Sequence, residues 1–344
     1  MTRRVHVVFT GGTIGSVATD GRTGLDDAPP RHILSCVPSG HQVEFSESEP
    51  FRILSEDATL EHWTRLARHI AQLDFAGLDA VIVAHGSDTL AWTAKALVYA
   101  LAGCPKPVVL VASDRPLTDK ESNGPDNFRD AISFALGENL PGIFAAWKNP
   151  DEDTAIHLAS RILPCDIHDD KFRSANGLTF GSVRDGEFRR NPVEGNPSRS
   201  HLVKAATASD WIESRRRALE GCRFESGILV LPAQPAGWFP RLEDSGCKAV
   251  LQIAYHSGTA CSDPGAGLFG EFAQRCHLQG VPVVVGPSRH GSAPYESVER
   301  LSRCGAVFGP SMAEAALVVK MRWMLGRGPS LDRLNDPIGF DLLT

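Results

Sequence analysis

No apolar run in this chain reaches the eighteen or so residues that a bilayer-crossing helix needs, which excludes a helical membrane span. Basic surplus is also missing. Lys and Arg number 35 against 41 Asp and Glu, a net charge of -6, and the cations are scattered, so there is no footprint for nucleic acid. Eight cysteines (36, 104, 165, 222, 247, 261, 276 and 304) include no C-x-x-C pair and no metal-ligand spacing. That pattern argues against zinc and disulfides and for free thiols in a reducing cytosol. The first strand begins almost at Met1 and has neither a long apolar h-region nor a small-residue cleavage site, so no secretion signal is expected and a cytoplasmic location is. Tyrosine is scarce, at three: Tyr99, Tyr255 and Tyr295.

The hydrophobic content of 42% is that of an ordinary globule, and 344 residues exceed one typical core, so two unequal domains are expected. Short apolar strands near 4–9, 79–84 and 107–112 alternate with helical stretches near 60–73, 89–102 and 126–136, the last with Asp126 placed to start it. This βαβα rhythm predicts a doubly wound, mostly parallel sheet over residues 1–190. Polar sequence with prolines and glycines from about 186 reads as a linker, placed at 191–224. The rhythm resumes with strands at 227–232, 249–254 and 281–286 and helices around 265–279 and 311–325, predicting a smaller α/β domain over 225–344. Residues 16–30, rich in Gly, Asp and Pro, read as a loop.

Two segments carry the chemistry. Strand 4–9 runs into Thr10-Gly-Gly-Thr-Ile-Gly15, and strand 78–84 runs into His85-Gly-Ser-Asp-Thr89 ahead of a helix. In an open parallel sheet ligands sit beyond the carboxyl ends of the strands, so both hydroxyl-bearing loops face one pocket. Adjacent glycines let the backbone turn sharply and bring N–H groups close to a substrate, with Thr13 presented as an alcohol nucleophile. Plain structural roles compete: Thr13 or Ser87 as a helix cap, Asp88 as a first-turn acid complementing a helix dipole, and Ser55 with Glu56 as polar loop.

Together the two loops resemble the signatures of the L-asparaginase family, which hydrolyses side-chain amides with a threonine nucleophile. Ser55-Glu-Asp57, Asp114-Arg-Pro116, Gly124-Pro-Asp-Asn-Phe128 and Phe172-Arg-Ser-Ala-Asn-Gly177 are similar to further family elements in the same order. The resemblance implies an asparaginase-like two-domain α/β fold, no cofactor and no metal. It implies Thr13 as nucleophile, Ser87 as hydroxyl partner and Asp88 as clamp for the substrate amino group. It also implies substrate binding by Gly12, Ser55, Glu56 and Gly86, and a homodimer or homotetramer with sites between subunits. The loop 16–30 would be the family's lid.

The pattern breaks at two places. The family's proton-transferring lysine matches Leu163 by an ungapped count, with Arg161, His168 and Lys171 nearby as substitutes, and the lid tyrosine is absent. Losing a positioned base costs about 10²- to 10⁴-fold in rate. Tyr255-His-Ser-Gly-Thr-Ala260 resembles the loop that reaches a neighbouring subunit's site, with Thr259 in place of an asparagine. The expected function is an amidohydrolase acting on asparagine or a related amino-acid amide. The alternatives are a catalytically impaired amino-acid-binding or regulatory protein and a biosynthetic enzyme using a different amide. A dinucleotide enzyme fails on the G-x-G-x-x-G spacing, and a Ser87–His85 hydrolase is disfavoured because the G-x-S-x-G elbow is absent.

Overall fold

The computed structural model describes residues 2–19, 22–27, 29–235, 237–242, 245–263, 265, 267–288 and 295–343. In chain order the elements are β1 (Arg3–Phe9), β2 (Ser16–Thr19), β3 (Arg22–Leu25), β4 (Val43–Ser48), α1 (Leu60–Gln72), β5 (Ala80–Ala84), α2 (Leu90–Ala100), β6 (Pro107–Val111), α3 (Gly124–Glu138), β7 (Gly142–Lys148), β8 (Thr154–Leu158), β9 (Gly181–Arg184) and β10 (Glu187–Arg190). They continue with α4 (Arg199–Ala208), α5 (Trp211–Glu220), β11 (Ile228–Leu231), β12 (Ala249–Ile253), α6 (Phe269–Leu278), β13 (Val283–Gly286), α7 (Glu296–Arg303), β14 (Ala306–Phe308) and α8 (Glu314–Leu325). The chain divides into two compact units, Met1–Cys222 with Ile338–Phe340, and Arg223–Pro337 with Asp341–Thr344.

The first unit is built on an eight-stranded sheet in the order β10-β9-β8-β7-β6-β5-β1-β4. Strands β4, β1, β5, β6 and β7 run parallel, and β8, β9 and β10 follow as an antiparallel extension. Central strands bury both faces, which is why Ala80–Ala84 and Pro107–Val111 read as unbroken apolar runs. Helix α1 buries Trp63, Leu66, Ala67, Ile70 and Ala71, a stripe at helical spacing, and the Thr59 N–H donates to His62 Nδ1 at 3.1 Å to close its first turn. Helix α2 is instead buried almost all round, over ten of its eleven residues. The second unit is a four-stranded parallel sheet, β11-β12-β13-β14, with α6, α7 and α8.

The structure departs from expectation in places. Strands β2 and β3 pair antiparallel, Ser16 opposite Leu25 through Thr19 opposite Arg22, where the composition reads as loop. Helix α3 starts at Gly124 behind Asn123, so Asp126 lies within its first turn, ion-paired to Arg129 and Lys148. Residues 191–224 hold α4 and α5, and the first unit runs to Cys222. Helices α6 and α8 begin at Phe269 and Glu314, a few residues later than periodicity indicates. No helix among the described residues is long and apolar enough to cross a membrane.

Candidate active site

Strands β4 and β5 pair with opposite edges of β1, so the chain crosses over β1 between them. The loops after β1 and β5 therefore leave the sheet side by side at a topological switch point, the place where open α/β sheets bind ligands. Thr10 N–H donates to the Ala84 carbonyl at 3.0 Å, and the His85 N–H to Val111 at 2.8 Å, carrying the pairing right up to both loops.

Beyond Thr10 the backbone turns through Gly11 and Gly12 with φ of 95° and 74°, values that side-chain-bearing residues rarely adopt. Space imposes glycine as firmly as the torsions do. A Cβ on Gly12 would lie 2.2 Å from the Gly86 Cα, and one on Gly86 would lie 2.5 Å from the Ser55 Oγ. Three loops thus meet in contact: the Gly12–Thr13 turn, the Gly86–Asp88 turn and the single 3₁₀ turn Ser55–Asp57. The Gly12 N–H donates to the Ile53 carbonyl at 2.8 Å, while the Gly12 carbonyl accepts from Gly15 N–H and Ser16 Oγ, both at 2.9 Å. That engagement removes the Gly12 N–H from the set of donors a substrate oxygen could use.

Thr13 opens the 3₁₀ turn Thr13–Gly15, half-buried, with Gly12 in the cap position. Its hydroxyl has no hydrogen-bond partner among the described residues, so a capping role is set aside. Ser87 is half-buried, and its carbonyl accepts from the Leu90 N–H at 3.3 Å, but the residue capping α2 is Thr89. Thr89 Oγ1 donates to the Ser55 carbonyl at 2.8 Å, and Ser55 Oγ, buried, donates to Asp88 Oδ2 at 2.9 Å. Asp88 lies ahead of the first helical turn, fixed by Ser55 rather than serving the helix dipole. Glu56 is on the same turn as Ser55 and is exposed. Thr13, Gly12, Gly86, Ser87, Asp88 and Ser55 are therefore brought together, with Glu56 at the rim.

His85 is buried with Nδ1 2.8 Å from the Gly86 carbonyl, and burial pushes its pKa down despite that bond and the charge of Asp88. A neutral imidazole turned onto its own loop is not a base for Ser87. The three candidates near Leu163 are also placed away from such a role. Arg161 is buried with its guanidinium on the Gly195 and Phe340 carbonyls, at 2.8 and 2.7 Å. Lys171 is ion-paired to Glu152 at 2.9 Å, and His168 is exposed. Two buried groups went unread in the sequence: Ser113, just past β6, whose Oγ has no protein partner, and Lys95, within α2. The signal for Lys95 was a lone cation in the apolar stretch Leu90–Ala100.

Residues 4–193 match the family model for the N-terminal part of asparaginase, which is more than half of the chain. The chain belongs to the asparaginase family. A glutamyl-tRNA(Gln) amidotransferase subunit of Methanosarcina barkeri is 39% identical, covering 97% of this chain and 76% of that relative. An L-asparaginase of Thermococcus kodakarensis is 26% identical over 96% of this chain and 95% of its own length. Among solved structures, L-asparaginase I of Vibrio cholerae superposes with a TM-score of 0.78 at 18% identity and full coverage of both chains, a likeness of fold.

Proposed function

We propose that this asparaginase-family chain is an amidohydrolase that cleaves the side-chain amide of asparagine or a related amino-acid amide through Thr13. The observation that carries the reading is the Gly12–Thr13 turn wedged against Gly86, with Asp88 held by Ser55 beside it. Thr13 offers an uncommitted hydroxyl at a rigid turn, as a nucleophile requires. Ser87 supplies a second hydroxyl, and Asp88 a carboxylate for the substrate α-amino group, a charge-assisted contact. When substrate arrives, Ser55 Oγ exchanges its bond to Asp88 for one to the α-carboxylate, and Glu56 at the rim assists with the amino group. Oxyanion donors come from N–H groups other than that of Gly12. The protein acts in the cytoplasm without cofactor or metal, as a homodimer or homotetramer.

A second reading, release of amide nitrogen for use in a biosynthetic reaction, is favoured by the 39% identity to a relative named as part of an amidotransferase. The experiment that tests the first is ammonia release by the purified protein from L-asparagine, D-asparagine, L-glutamine and N-substituted asparagines, with Thr13→Ala alongside. Turnover on the free amino-acid amides that vanishes in Thr13→Ala is the expected result. Aspartate binding without turnover of any of them would sink it and leave a binding or regulatory protein.

A further inference from the structure

The turn that presents Thr13 lies inside a closed circuit of hydrogen bonds. The Ile53 carbonyl accepts from the Gly12 N–H at 2.8 Å, the Gly12 carbonyl from the Gly15 N–H at 2.9 Å, and the Gly15 carbonyl from the Asp26 N–H at 3.1 Å. The Asp26 carbonyl then accepts from Arg52 Nη1 at 2.9 Å, and the peptide bond between Arg52 and Ile53 closes the circuit. Thr13 and Ile14 span the arc between Gly12 and Gly15. Three of these four hydrogen bonds join backbone groups, so they form whatever the side chains are. The fourth depends wholly on Arg52.

The surroundings of Arg52 suit it to that link. Its Nε and Nη2 donate to the two carboxylate oxygens of Glu49, at 2.5 and 2.7 Å, a forked charge-assisted pair that fixes the plane of the guanidinium. That leaves Nη1 directed at the Asp26 carbonyl. Only 24% of the Arg52 side chain and 26% of that of Glu49 are exposed, so water competes with the fork less than it does at an open surface pair. Asp26 itself is exposed and directly follows β3, whose Leu25 pairs with Ser16 at the base of the β2–β3 ladder.

The amino-acid clamp is anchored by other means. Thr89 Oγ1 donates to the Ser55 carbonyl at 2.8 Å and Ser55 Oγ donates to Asp88 at 2.9 Å, ties that run to the start of α2 and not through Asp26. Loss of the Arg52 side chain therefore loosens the Thr13 turn against a clamp that stays in place.

We propose that Arg52 positions the nucleophile: by fastening Asp26 to the segment that carries Ser55, it holds the Thr13 hydroxyl in register with the Ser55–Asp88 clamp. The inference rests on the amidohydrolase reading. Arg52 acts through Asp26 and Gly15 and is a positioning residue. The lever is short and its effect is large, since a displacement of about 1 Å between a nucleophile and its target costs about 100-fold in rate.

Two measurements test it. In ammonia release, Arg52→Ala is expected to lower kcat about 100-fold with KM within about threefold, because the clamp survives. Millimolar methylguanidinium, which refills the fork on Glu49, is expected to raise kcat of Arg52→Ala about tenfold and to do nothing for Arg52→Ala with Glu49→Ala. Arg52→Lys, a point charge that cannot grip Glu49 with a fork and reach Asp26 as well, is expected to stay within about threefold of Arg52→Ala. The second measurement needs no turnover: hydrogen exchange followed by NMR is expected to accelerate about tenfold or more at the Gly15 and Asp26 amides of Arg52→Ala, with the β1 and β5 amides unchanged. Wild-type kcat in Arg52→Ala would overturn the proposal. So would a loss of kcat without methylguanidinium rescue and with exchange raised equally across β1 and β5, which would mean that Arg52 merely stabilises the fold. No ammonia from the wild type would remove the amidohydrolase reading itself, and exchange at Gly15 and Asp26 would then decide whether Arg52 holds the Thr13 turn, unchanged exchange there overturning it.

Discussion

Gly86 has an ordinary backbone conformation, yet no side chain fits there, because Ser55 Oγ and Gly12 Cα would lie 2.5 and 2.9 Å from its Cβ. Gly86→Ala is therefore expected to force the three loops apart, costing about 1–3 kcal/mol of stability while reducing ammonia release at least 100-fold. Denaturant unfolding beside a rate assay checks both figures, and near-normal turnover would show that the contact is not needed. Ser55→Ala tests a different link. It frees Asp88 and removes the proposed carboxylate donor, so KM is expected to rise about tenfold with kcat little changed, read from the two parameters separately. Five of the six clustered residues were legible from sequence because each stands within four residues of a strand end in a glycine-marked loop, whereas Ser55, seven residues past β4 in a loop without glycine, was legible only from the order of the motifs. The buried Lys95 was not legible in that way, since its ammonium meets the Ile162 carbonyl 67 positions away.

Among elements, those that bury both faces were easiest to read, and those whose pattern is diluted were hardest. Strand β4, Val-Glu-Phe-Ser-Glu-Ser, is an edge strand with alternating exposure, and its polar half hides it among loops. Helices α4 and α5 bury only Leu202 and Ala218 fully, so a prolyl, charged sequence looked like a linker. The hairpin β2–β3 did carry a signal, the Asp20-Gly21 dipeptide between two four-residue runs, of the type that favours two-residue turns. The edge strand has its own pH dependence. His6 on β1 meets Ser46 Oγ and Ser48 Oγ of β4, both at 2.7 Å, and Ser48 meets His69 at 2.6 Å. Burial, then the charge of His69, hold His6 down to about 4. A folded-state pKa below the unfolded value means that this contribution is complete above pH 6.5 and is lost as pH falls toward 4. Hydrogen exchange of the β4 amides is expected to accelerate between pH 6.5 and 4.5 relative to β5, and His6→Gln is expected to flatten that response; equal behaviour of both strands would refute it.

At the scale of the whole molecule, buried contacts in each unit join distant parts of the chain. In the second unit Lys320 and Asp341 form an ion pair at 2.8 Å with both side chains fully buried, and Lys320 Nζ also donates to the Asp336 carbonyl at 2.6 Å. Lys320→Met takes the cation away from the buried Asp341 carboxylate and is expected to cost about 3–5 kcal/mol, most of it recovered in Lys320→Met with Asp341→Leu. Chemical denaturation of the two variants checks this, and equal losses in both would refute it. In the first unit such contacts come from the return of residues 338–340, whose Gly339 and Phe340 carbonyls accept from Ser160 Oγ and Arg161 Nε, both at 2.7 Å. A ribosome adds roughly 5–20 residues per second, so the 118 positions from Cys222 to Phe340 take on the order of 6–24 s to appear. For that interval the nascent first unit has its sheet and its hydroxyl loops, while the Arg161 guanidinium has the Gly195 carbonyl but not that of Phe340, so that water stands in for the returning segment.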